Sequence, residues 1–150
     1  MNLFRLFLSA GLLTSLAPAF ATAQGQTLGR FHQCEGKVTE NSRVISFKSS
    51  VFVDMKAMFT GKEEFDAALV ISTQPERGSR KEESVLMSGA DAVMSEKDGK
   101  KTLQVKHTVK EGRDEVTTVL TIDLKTLGAE LRISEGTEDR AVTLTCTGPQ

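Results

Sequence analysis

From Val116 to Cys146 apolar and polar residues alternate with a period of two through three consecutive runs, a pattern that restricts the chain to antiparallel β-structure. Successive side chains of a strand point to opposite faces. The first run therefore sets Leu120, Ile122 and Leu124 on one side, with Thr117, Val119, Thr121 and Asp123 on the other. After a turn around Lys125 to Gly128, Ala129, Leu131 and Ile133 resume the apolar side and Glu130, Arg132 and Ser134 the polar one. A second turn, Glu135 to Asp139, leads to Val142, Leu144 and Cys146 on the apolar side, with Ala141, Thr143 and Thr145 opposite. A meander with one apolar face needs a second layer or closure on itself to bury that face.

The N-terminus reads as an address. Met1 to Phe7 carries one positive charge, Arg5, and Leu6 to Leu16 is a short apolar run. Two small-residue cleavage patterns follow, Ala19-Phe20-Ala21 and Ala21-Thr22-Ala23, which together make a secretory signal peptide over residues 1–23. Cleavage is expected after Ala23, just beyond Pro18, with cleavage after Ala21 as the alternative. The apolar run is shorter than the roughly 20 residues that span a bilayer. No membrane span is expected once the signal is removed, and the protein is expected to be periplasmic or secreted. Residues 24–30 form a polar leader, and residues 31–150 suit a single domain.

Charge excludes one class of partner. Removal of Arg5 from the 19 basic residues leaves 18 against 20 acidic ones, so the mature chain lacks the basic excess that nucleic-acid binding requires. Cys34 and Cys146 are the two cysteines, one near each end of the mature chain. In an exported protein such a pair reads as a disulfide. With only His32 and His107 as further soft donors, no metal site and no cofactor is expected.

Upstream of the meander the alternation recurs. Phe31 to Val38 is a strand candidate with His32, Cys34, Gly36 and Val38 on one face. From Arg43, the positions Ile45, Phe47, Ser49, Val51, Val53, Met55, Ala57 and Phe59 share one side. That run is long for one strand, so a break near Ser49-Ser50 into two consecutive strands is expected. Phe65, Ala67, Leu69 and Ile71 face inward in the next strand, and the charged stretch Gln74 to Glu83 is a long loop, read as a solvated connection with a lid or partner-binding loop at the barrel mouth as the alternative. Val85 to Glu96 carries apolar residues on both parities, and Gly89 within it suggests a bulge. Asp98-Gly99 is a two-residue hairpin signal, leading to Leu103, Val105, His107 and Val109 on one face. Helix-forming residues leave a helical reading open over Val51 to Phe65 and Ser79 to Ala92; the period of two and the bounding glycines oppose it over the first.

Eight or nine antiparallel strands joined mostly by short turns make an all-β, up-and-down meander closing into a small barrel, with a β-sandwich as the alternative. Closure is favoured because a disulfide needs Cα atoms within about 7 Å. Only a closed sheet brings Cys34 in the first strand to Cys146 in the last. From Phe31 to Cys146 this organisation resembles the lipocalin-like and other small calycin barrels. The resemblance is one of architecture: the Gly-x-Trp signature of lipocalins is absent, Cys34-Glu35-Gly36 standing where it would be sought, so no ligand residue carries over from it.

No nucleophile elbow, phosphate-binding glycine loop or zinc-binding His-Glu-x-x-His is present. The expectation is a non-catalytic binding protein. A small hydrophobic ligand in the barrel would be lined by Phe47, Val51, Val53, Met55, Leu69, Val105, His107, Leu120 and Leu131. The alternative is an envelope protein-interaction or inhibitor module with a filled core, since eight strands leave room for side chains or one small ligand.

Overall fold

The computed structural model describes residues 21–23, 26–77 and 82–148. The chain runs through β1 (Ala21–Ala23), β2 (Gln26–Glu40), β3 (Arg43–Val53), the helix α1 (Met55–Phe59), β4 (Glu64–Pro75) and β5 (Glu83–Lys97). It continues through β6 (Lys100–Glu111), β7 (Asp114–Asp123), β8 (Gly128–Glu135) and β9 (Glu138–Cys146). Each strand pairs antiparallel with the next, and β2 pairs again with β9. The eight strands β2 to β9 thus close into an up-and-down barrel, and β1 adds a short ninth strand to β2. In the signal segment assigned to residues 1–23, residues 1–20 lie outside the described residues.

The closing ladder pairs Cys34 with Cys146 and Glu35 with Thr145, and the two cysteines are joined as a disulfide. Along this seam a β-carbon on Gly36 would lie 2.4 Å from the Thr143 carbonyl oxygen and 2.6 Å from Leu144 Cδ2. Only glycine allows the two backbones this approach. Beside the seam, His32 Nδ1 lies 2.5 Å from the Thr147 carbonyl oxygen, while the Thr147 amide donates to Gln33 O, so the residues after Cys146 are also tied to β2.

Short turns follow local chemistry. Asp98 and Gly99 have φ of 52° and 74°, the mirror-image turn that matches strand twist, as the Asp-Gly pair predicts. Asn41 and Ser42 make the same kind of turn between β2 and β3, with φ of 47° and 62°. Between β7 and β8, Asp123 Oδ1 accepts from the amides of Lys125 and Thr126 and so fixes the turn.

Several expectations are corrected. The strand at the start of the domain begins at Gln26, inside the stretch read as a leader. A register shift between Arg30 and His32 lets neighbouring Phe31 and His32 both be buried. The long alternating run does not break at Ser49-Ser50, for β3 continues to Val53. It ends because Asp54 caps α1, its carboxylate accepting from the amides of Lys56 and Ala57. In α1 the period of two no longer applies: Ala57 packs on the core while Phe59, expected inward, is 77% exposed. The loop after β4 is shorter than expected, since β4 reaches Pro75 and β5 starts at Glu83; residues 78–81 of it are outside the described residues.

Gly89 resolves the mixed pattern of β5. Ala67 pairs with Ala90 and Ala68 with Ser88, leaving Gly89, at φ 70°, as the extra residue of a bulge. The extra residue inverts parity. Val85 and Met87 before it and Ala90, Ala92 and Met94 after it therefore turn to the same, inner side, while Ser84, Leu86 and Ser88 face out.

Candidate functional site

The inner faces of β2 to β9 meet in one apolar cluster. Phe47, Val51 and Val53 reach it from β3, Leu69 from β4, Val105 from β6, Leu120 from β7 and Leu131 from β8, as their alternation predicts. Val51, Val53, Leu69, Val105, Leu120 and Leu131 each have 0% exposure. Such side chains present no surface to a water-sized sphere from outside or from within, so no void of that size lies against them. Ala67, Ala90, Ala92 and Ala129 fill the narrower spaces between the larger residues. Ser49 sits among them, and its buried hydroxyl has no hydrogen-bond partner.

Two more residues are expected in a lining. Met55 opens α1, and its side chain is outside the described residues. His107 stands opposite Thr118 toward one end of the barrel and is half-buried, outside the central cluster. Two residues further on, Val109 is 41% exposed, although its parity predicts burial.

Both departures have one cause, which is that the barrel parts at this end. The β5–β6 ladder runs from Lys97–Lys100 to Asp91–Lys106 and goes no further. Beyond it, among the described residues, β5 from Glu83 to Ala90 pairs only with β4, and β6 from His107 to Glu111 only with β7. The turn imposed at Gly89 is the local reason, because a bulge bends its strand and increases its twist. Val38, Met87 and Ile133, toward this end of β2, β5 and β8, are half-buried and pack against the core.

Across the barrel the β2–β9 ladder is also short, but charge spans the seam there. Arg140 donates to Glu40 in an ion pair, and burial holds the Arg140 guanidinium below its usual range. Next to it, Ile133, Glu135, Glu138, Asp139 and Arg140 line a shallow depression of about 320 Å³. Desolvation, and then the nearby Asp114, Glu138 and Glu111 carboxylates, push the Glu135 carboxyl above its ordinary value.

Sequence reasoning missed this opening and the outer face beside it. On that face Leu86, 51% exposed, pairs with half-buried Val70, and Ser72 Oγ and Ser84 Oγ are 2.7 Å apart. The alternating signal was present but hidden by the parity inversion at Gly89. Among the described residues, no three His, Cys, Asp or Glu side chains group as metal ligands, and no helix is long and apolar enough to cross a membrane. No protein-family model matches the chain, and no curated protein and no solved structure matches it.

Proposed function

We propose that the protein is an exported, non-catalytic interaction module in which the barrel is a filled scaffold and recognition takes place on its outside. The observation that carries this reading is the 0% exposure of Val51, Val53, Leu69, Val105, Leu120 and Leu131, the residues a central ligand would have to touch. A ligand there would have to displace close-packed side chains. The cross-strand disulfide fits an oxidising compartment. Together with the signal peptide read in residues 1–23, it supports a periplasmic or secreted location and an envelope protein as partner.

A second reading has one observation in its favour. The parted end, where Val38, Met87 and Ile133 are half-buried, offers a place for a small apolar ligand at the mouth of the barrel. Native mass spectrometry of protein purified from its own compartment, followed by organic extraction, separates the two. The interaction reading expects only the mature polypeptide, as single chains or oligomers with no added mass, and no extractable apolar compound. A stoichiometric apolar molecule, together with tight binding of an apolar fluorescent probe by the folded protein, would replace it with the ligand reading.

A further inference from the structure

We propose that the protein forms a two-fold dimer by antiparallel pairing of the free β5 edge, Glu83 to Gly89, with the same edge of a second copy, centred on Leu86. The edge is free because the β5–β6 ladder ends at Asp91, so from Glu83 to Ala90 one side of β5 has no strand partner among the described residues. Unpaired backbone amides and carbonyls in a row are complementary to another extended backbone. Natural edges are usually guarded by lysine, proline or inward-facing charge. Ser84-Val85-Leu86-Met87-Ser88 has none of these; the one inward-facing charge of the edge, Glu83, stands at its end.

The occupant follows from the order of those residues. A two-fold axis normal to the sheet at Leu86 sets Leu86 against Leu86, Val85 against Met87, and Ser84 against Ser88. Each residue then meets one of its own chemical kind. This register also keeps the outer face of one copy continuous with the outer face of the other, as a sheet requires. The exposed Leu86 pair becomes buried between the two Val70 side chains, one from each copy. On the inner face, half-buried Val85 and Met87 gain the neighbours they lack within one barrel.

Charge and length agree with the same axis. Glu83, the one ionisable residue of the stretch, falls opposite Gly89, where there is neither a like charge nor a side chain to meet. Moving the centre to Met87 would set Glu83 against Asp91, and moving it to Val85 would set Ser84 against Leu86. A foreign strand would satisfy the same backbone groups, but nothing about it would account for this internal symmetry. Because a single strand edge is a small interface, the dimer is expected to be weak and concentration-dependent.

Sedimentation of the mature protein over a concentration series tests the proposal. Wild type is expected to show a monomer–dimer equilibrium. Leu86→Lys, which sets two ammonium groups against each other at the axis, should weaken it at least about tenfold. Since Leu86 is exposed in the single barrel, the variant should keep the wild-type circular dichroism spectrum. Register is read by cysteine pairs: Ser84→Cys and Ser88→Cys should each remain uncrosslinked alone, and give a covalent dimer when mixed and oxidised. A protein monomeric throughout the series, a dimer indifferent to Leu86→Lys, or crosslinking of Ser84→Cys with itself would overturn the proposal. So would capture of a different protein at position 86 by a monomeric chain. Failure of the dimer leaves the interaction reading above standing, since that reading falls only if an apolar ligand is extracted; capture of a different protein would overturn the dimer and support that reading.

Discussion

Cys34 lies directly opposite Cys146 in the ladder that closes the barrel, and the bond between them joins positions 112 residues apart. The barrel's first long strand and its last are thereby held where their ladder is shortest. In the chain-entropy model a loop of this length stabilises the folded state by about 4–5 kcal/mol, comparable with the net stability of a small domain. Cys34→Ser/Cys146→Ser protein should therefore unfold at much lower denaturant concentration than wild type. Peptide mapping without reduction should recover the two cysteine peptides joined; free thiols at both positions would remove the covalent closure.

At Gly36 the backbone of β2 runs too close to β9 to admit a side chain. Gly36→Ala would push a methyl group against the Thr143 carbonyl oxygen, a backbone atom that cannot rotate away. Overpacking of this kind costs about 1–3 kcal/mol. Equilibrium denaturation should show the loss. An unchanged midpoint would mean that the two strands are further apart than described.

Ser49 offers the opposite sign. Its hydroxyl is buried without a partner in an apolar surround, and an unsatisfied group of this kind costs about 1–3 kcal/mol. Ser49→Ala should raise stability by about 1 kcal/mol, after the small space left by the oxygen is discounted. A fall in the melting temperature would show that the hydroxyl has a partner after all.

Asp123 is held below the ordinary carboxylate range by the amides of Thr126 and Lys125, and then by Lys100. A depressed native value means that the unfolded chain binds the proton more readily. Its contribution is thus present above about pH 4 and is lost as pH falls through the native value. Asp123→Asn should lower stability at neutral pH, and the difference from wild type should shrink in acid. A difference independent of pH would assign the turn's stability to shape rather than charge.

Glu135 carries the reverse linkage, since desolvation and the surrounding carboxylates raise its native value. The native state then binds the proton more tightly than the unfolded chain. Stability attributable to this group is full at low pH and falls as pH rises through the raised value. Glu135→Gln should therefore be more stable than wild type at neutral pH, with the gain vanishing in acid. No gain at neutral pH would mean that the group is better solvated than its position implies.

The β-strands of the final meander could be read residue by residue. Leu120, Ile122, Ala129, Leu131, Val142, Leu144 and Cys146 are all buried as their alternation predicts. A period of two is a local property, so it survives whatever the strand packs against. Closure was legible too, because the cysteines at the two ends of a meander impose a distance that only a closed sheet satisfies. The interior assignments of Phe47, Val51, Val53, Leu69 and Val105 follow from the same two facts.

What the sequence did not determine is where that order stops. Nothing in the apolar pattern of β3 says that Asp54 will cap a helix and send Phe59 outward; that depends on the chain leaving the sheet. Val105 and Val109 share a parity, yet one is fully buried and the other 41% exposed, because β5 turns away from β6 between them. The bulge at Gly89 decides this through two strands at once, inverting the faces of β5 and opening its edge. Strand faces are set by neighbours along the chain, whereas the end of a ladder is set by curvature shared among strands distant in sequence. The opening between β5 and β6, and with it the free edge at Leu86, therefore belongs to the tertiary structure alone.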